Sequence, residues 1–231
     1  MRTLAVVPIK TLSAAKQRLS GSLAGGARAS LMQAMFSDVL GSLRHTPSID
    51  AIAVVTADVV ADALGRGDGA TVLHDTEQAG QSAATMIGIR YAIESGFDRV
   101  VLVPGDTPLV DALEVEALLG RASTGGHGVV IVSDRHGTGT NALVLTPPDA
   151  MEPSFGEGSF ERHVALAEAA GVSFACEPAP SLEHDIDTPD DLAALARALD
   201  GARTVAPRTR GALRQLQRSG SIRGADELVR V

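Results

Sequence analysis

RVVLVPGDTPLV, residues 99–110, is the stretch on which the fold turns. An unbroken apolar run, Val100 to Val103, is stopped by Pro104 and Gly105, and Asp106 stands immediately beyond. Such a run bounded by turn residues reads as a strand buried on both faces, the habit of parallel sheets. Outward from it the chain repeats the pattern: TLAVVPI (3–9), AIAVVT (51–56) and TVLH (71–74) before it, GVVIVS (128–133), NALVLT (141–146) and VSFACE (172–177) after it. Ala-rich stretches at about 28–44, 58–65, 80–95, 111–121, 158–170 and 188–199 separate them and read as helices, several opened by an Asp, Ser or Thr cap. Strand and helix in alternation predict an α/β fold, with a mostly parallel central sheet and helices on both faces. The alternation breaks at 134–160, where two strands meet with no long helix between them, so a small antiparallel excursion is expected there. No repeat of solenoid period occurs.

With 231 residues the chain suits one large domain, placed at 1–200, followed by a basic extension at 201–231 that is expected to be partly disordered. Hydrophobic residues at 45% and charged residues at 21% suit a globular protein. The lone Cys176 excludes a disulfide framework or a multi-cysteine zinc site and suits a reducing compartment; within its apolar strand it reads as core. The apolar run Leu4 to Ile9 is too short for a signal peptide or membrane span, so a cytoplasmic protein without a membrane partner is expected. The net charge is −8, yet residues 201–231 carry seven arginines against Asp226 and Glu227. An acidic body argues against nucleic acid as a partner, and 3% aromatics with no Trp leaves no stacking platform. A homodimer could form through the 134–160 excursion.

In open α/β sheets ligands sit outside the carboxyl ends of the strands. Four such places carry polar chemistry. After the first strand come Lys10 and Lys16, the only two lysines among twenty Lys and Arg residues, with Arg18 beside them; together they suit either a cationic cradle for phosphate or an ordinary solvated loop. Asp106 can hold a divalent cation, which favours oxygen ligands, or can cap the next helix. In HDIDTPDDL (184–192), Asp185 and Asp187 alternate on an extended segment, so only one of them is expected to share a face with Asp106. Thr188 and Pro189 then open a helix with Asp190 and Asp191 in its first turn. Finally DRHGTGTNALVLTPP (134–148) and FGEGSF (155–160) offer glycines and hydroxyls to an anionic ligand, although such loops are also plain turns. LAGGAR (23–28) lies too late in the chain for the glycine loop of sugar nucleotidylyltransferases, and DIDT (185–188) too late for a haloacid dehalogenase nucleophile. The six histidines show no zinc spacing.

Taken in order, VPIKTLSAAKQRL (7–19), VVTAD (54–58), VPGDTP (103–108), GTGTNAL (137–143), FGEGSF (155–160) and DIDTPDDL (185–192) resemble the CofC/FbiD guanylyltransferases of coenzyme F420 biosynthesis, across about residues 3 to 199. The resemblance implies a glycosyltransferase-A-like nucleotidyltransferase fold. It implies GTP as donor and 2-phospho-L-lactate, phosphoenolpyruvate or 3-phospho-D-glycerate as acceptor. It further implies that Asp106 and Asp187 hold Mg²⁺, that Thr140, Gly156 and Ser159 hold the acceptor, and that Lys10, Lys16 and Arg18 contact the GTP phosphates. Asp58 and the loop of Gly80, Gln81 and Ser82 fall near the nucleoside; many relatives have Gly-Leu-Asn at that triplet. The competing readings are a molybdopterin or sugar-phosphate nucleotidylyltransferase and a noncatalytic nucleotide-binding module.

Overall fold

The strand Thr3–Pro8 (β1) is buried at all six positions, and its side chains alternate between two apolar layers. Ala5 and Val7 face one, Leu4 and Val6 the other. That double burial puts β1 in the middle of a sheet, and the computed structural model, which describes residues 1–12, 17–21, 23–201, 204–219 and 221, has it there. The remaining strands are Ala51–Thr56 (β2), Thr71–His74 (β3), Arg99–Leu102 (β4), Val129–Ser133 (β5), Thr140–Leu145 (β6) and Phe174–Cys176 (β7). Their order is β3-β2-β1-β4-β6-β5-β7. Neighbours are parallel except at β6, which runs against both β4 and β5. The β5–β6 hairpin is the antiparallel excursion that the sequence predicts.

The helices are Gly25–Arg44 (α1), Val59–Gly67 (α2), Gln81–Glu94 (α3), Ala112–Thr124 (α4), Ser159–Ala169 (α5), Pro189–Gly201 (α6) and Pro207–Arg218 (α7), with a short 3-10 turn at Gln17–Gly21. One layer of core joins the sheet to α1, α4, α6 and α7, the other to α3 and α5. Burying residues such as Phe36, Met35 and Leu118 contributes about 1.5–3 kcal/mol per side chain. Close approach matters on the second face: a Cβ at Gly88 of α3 would lie 2.3 Å from Val6 Cγ1, so only glycine lets α3 sit this near β1. No described helix is long and apolar enough to cross a membrane.

Two local expectations are corrected. Cys176 is exposed, because β7 is the last strand of the sheet and its outer end has no neighbour to cover it. The helix α7 falls beyond the last helix read from the sequence, because only Thr209, Leu213 and Leu216 are buried in an otherwise Arg- and Gln-rich segment. Buried Asp38 of α1 accepts hydrogen bonds from Arg208 N at 3.2 Å and Thr209 N at 2.7 Å. A carboxylate thereby satisfies two of the amide donors that any helix start leaves open.

Candidate active site

Because the chain passes from β1 outward to β2 and β3 and then returns to the other side of β1 as β4, a crevice opens between the carboxyl ends of β1 and β4. Reversed β6 brings its amino end to the same edge. A cavity of about 530 Å³ lies there, bordered by Lys10, Gly80, Gln81, Asp106, Thr140 and Asp187 among others. These residues, all singled out in the sequence, thus meet in one place, and Asp185 joins them. Lys16 lies outside the described residues, as does the side chain of Arg18.

On the β1 side the chain is held by main-chain bonds. Ile9 N donates to Val55 O at 3.0 Å, and Leu12 N donates to Asp58 Oδ2 at 3.0 Å. The other carboxylate oxygen of Asp58 accepts from Val60 N and Ala61 N, capping α2. Asp58 is not among the residues bordering the cavity; its contact with the β1 side is the bond to Leu12 N. Next to it, α3 starts at Gly80 with no side-chain cap, and its first internal bond is Ala84 N to Gly80 O. The amides of the first turn are therefore open donors where Gly80, Gln81 and Ala84 border the cavity. Ser82 turns elsewhere: its hydroxyl accepts from Phe155 N at 2.9 Å.

The acidic residues come from two loops. Asp106 follows β4 in a turn closed by Thr107 Oγ1 donating to Pro104 O at 3.0 Å, and capping α4 is the task of Asp111 instead. Asp185 and Asp187 both border the cavity, which corrects the expected alternation. Residues 184–187 pair with no strand, so the two-residue period of a pleated ladder does not govern them. Asn141 Nδ2 donates to Asp185 Oδ1 at 3.4 Å. Thr188 and Asp191 form a capping pair at the start of α6. Asp191 Oδ2 accepts from Asp187 N at 3.0 Å and Thr188 N at 2.7 Å, and Arg135 of the β5–β6 loop forms an ion pair with its other oxygen. Burial alone would raise the Asp191 pKa, but the Thr188 hydroxyl, the two amides and Arg135 together hold it below the ordinary carboxylate value.

Beyond Thr140 lies a buried network. Thr140 N donates to Ser159 Oγ at 2.9 Å, Thr140 Oγ1 lies 2.9 Å from His163 Nδ1, and Ser154 N donates to His163 Nε2 at 2.8 Å. Arg162 Nε donates to Ser154 O and Oγ. Gly156, at φ +121°, makes the turn that only glycine takes easily before α5. Ser159 is 2% exposed; it and Gly156 stand behind the cavity wall.

Two polar residues of the border went unread in the sequence, Asp75 and Gln78. Asp75 follows β3, and the carboxyl-end rule applied there would have found it. Its Oδ1 accepts from Gln78 N at 2.9 Å, which stabilises the left-handed turn at Gln78, φ 49°.

The model of the Guanylyl transferase CofC like family matches residues 3–222, running through α7. The phosphoenolpyruvate guanylyltransferase of Conexibacter woesei is 48% identical over 219 residues, covering 95% of this chain and 98% of that protein. The 2-phospho-L-lactate guanylyltransferase of Methanothermobacter thermautotrophicus is 33% identical and covers 83% of each. Among solved structures, a protein of Desulfovibrio desulfuricans G20 described as a candidate nucleotide-diphospho-sugar transferase superposes with a TM-score of 0.76 at 17% identity, covering 94% of this chain and 96% of that one. That likeness places the fold among the nucleotide-diphospho-sugar transferases. The chain belongs to the CofC-like guanylyltransferase family.

Proposed function

We propose that the protein transfers GMP from GTP to a phosphorylated three-carbon acid and releases pyrophosphate, as a step of coenzyme F420 biosynthesis. Phosphoenolpyruvate is the acceptor favoured by the 48%-identical relative, which bears that name across nearly its whole length. The observation that carries the reading is the meeting of Lys10, the open α3 amides, Asp106, Asp187 and Thr140 around one cavity. The carboxylates of the lining suit a divalent cation. Asp75, Asp106, Asp185 and Asp187 border the cavity, and Lys10 is the only basic side chain among the described residues that does so. Hard carboxylate oxygens suit Mg²⁺, which binds through one or two carboxylates and keeps substrate phosphates and waters as further ligands. No cluster of three His, Cys, Asp or Glu among the described residues offers a protein-only metal cage.

In this reading an oxygen of the acceptor phosphate attacks the α-phosphorus of GTP. A new P–O bond forms, the bond to the β-phosphate oxygen breaks, and pyrophosphate leaves with the electron pair. The attacking oxygen is already anionic, so the chain supplies positioning and charge neutralisation, with no protein nucleophile. Asp106 and Asp187 would hold Mg²⁺, whose contribution is Lewis-acid neutralisation of the phosphates. Lys10 and the α3 amides receive the triphosphate, and Lys16 and Arg18 belong to the same basic loop. Asp58 tethers that loop; Gly80, Gln81 and Ser82 shape the nucleoside end. Thr140 presents the acceptor, supported by Ser159 and the Gly156 turn. Incubation with Mg²⁺, GTP and each three-carbon acid, read by pyrophosphate release and the mass of the GMP adduct, tests the reading. An adduct with phosphoenolpyruvate is expected; no adduct with any of the acids overturns it.

A further inference from the structure

His163 is fully buried on α5 and takes no part in the chemistry above. Its two ring nitrogens have different partners, and those partners fix its tautomer. Ser154 N is a backbone amide and can only donate, so Nε2, 2.8 Å away, must present a lone pair. The ring's single proton is then on Nδ1, which donates to Thr140 Oγ1 at 2.9 Å. A doubly protonated ring would set two donors against each other at Ser154. Burial, with the Arg162 charge next to it, lowers the His163 pKa to about 4, so the neutral ring persists at neutral pH. Phe155 holds the plane of the ring edge-on, with centroids 5.0 Å apart.

The consequence falls on Thr140. A hydroxyl has one hydrogen to give and two lone pairs to offer. Nδ1–H occupies one lone pair, and no acceptor for the hydroxyl hydrogen is present among the described residues. Thr140 borders the cavity, so that hydrogen is kept for whatever enters. We propose that His163 is a positioning residue that, through its fixed Nδ1–H tautomer, forces the Thr140 hydroxyl to act as a donor toward the anionic group of the acceptor. The same ring ties Ser154, and with it the Gly156 turn, to β6, so acceptor-side geometry is set by one imidazole. This inference rests on the reading of Thr140 as an acceptor contact.

Nitrogen-15 NMR of the wild-type protein reads the tautomer without any activity: a protonated Nδ1 and a pyridine-like Nε2 are expected, and the opposite assignment overturns the proposal. Kinetics reads its use. His163→Leu is expected to raise KM for the phosphorylated acid roughly ten- to hundredfold, the scale of one hydrogen bond to a charged group, while KM for GTP moves less than about twofold. His163→Asn, which can place an amide N–H near the Nδ1 position, should restore much of the loss. In a Thr140→Val background, His163→Leu should add little, because the hydroxyl that it orients is gone. An undiminished effect in that background, or an equal rise in KM for GTP, assigns His163 to scaffold alone and overturns the proposal. Should the wild type form no GMP adduct, the functional reading fails separately. Inorganic phosphate titrated against the Thr140 amide signal then still tests the donor, expected to respond in wild type and not in His163→Leu; equal responses in both overturn it.

Discussion

The two banks of the cavity are built by different means. On the β1–β2–β3 bank, the groups that border the cavity sit on loops fastened by main-chain amides to single carboxylates, Asp58 under Leu12 and Asp75 under Gln78. On the β6–α5 bank, side chains knit the elements to one another: Ser159 Oγ and His163 Nε2 accept from the amides of Thr140 and Ser154, the Thr140 and His163 side chains bond each other, and Arg162 bonds Ser154. The first arrangement fixes where the backbone goes and, in the proposed reaction, would let Lys10 follow a flexible triphosphate. The second fixes hydrogen positions, which would suit the small rigid acid proposed as acceptor. Asp106 and Asp187 stand at the seam, so a lesion there should disable both banks at once. For Asp187→Ala, guanylyl transfer is expected to fall by about a thousandfold or more, with circular dichroism and melting temperature near wild type. Turnover retained within tenfold would dissolve the seam.

The β6–α5 bank should also betray itself in stability. The native His163 ring takes up its proton only near pH 4, while the unfolded one does so near 6.5. Between those values the unfolded chain holds the extra proton, so stability declines as the pH drops from about 6.5 to 4, by about 3 kcal/mol in all. Urea unfolding across that window should show the decline in wild type and a flattened slope in His163→Leu. Identical slopes would mean that the ring is charged in the folded protein. The opposite bank offers a smaller, kinetic counterpart. Lys10→Ala is expected to raise KM for GTP roughly tenfold, with KM for the acid unchanged, as steady-state kinetics with each substrate varied would show. A shift in both constants would erase the division of labour.

What could be read beforehand follows the same division. The parallel half was legible because buried strands are continuous apolar runs and their carboxyl ends are marked by Lys10, Asp58 and Asp106. Even the reversal at β6 was visible as a missing helix. Of the His163 network, Thr140 and Ser159 were named through the resemblance, but the histidine that joins them to Ser154 was not, since a buried, neutral histidine carries no sequence mark that distinguishes it from the other five. Asp185 was misplaced because a rule for pleated strands was applied to a segment that pairs with none. Helix α7 escaped because three buried positions, Thr209, Leu213 and Leu216, are its whole apolar stripe, although their spacing is helical.

The smallest expected effect is the one that separates a cap from a tether. Asp58 uses one oxygen to cap α2 and the other to hold Leu12 N. Replacing it with Ala removes both functions and should cost about 1 kcal/mol, the usual worth of a cap. Replacing it with Asn keeps one oxygen for α2 but turns an amide donor toward the Leu12 N–H, where two donors cannot bond. Asp58→Asn should therefore melt close to wild type, while Asp58→Ala melts a few degrees lower. Both should raise KM for GTP by a few-fold, because the loop that carries Lys10 has lost its anchor. If Asp58→Asn leaves KM for GTP unchanged, the bond to Leu12 does not set the position of Lys10, and the β1 bank is held by the Ile9 to Val55 bond and the sheet alone.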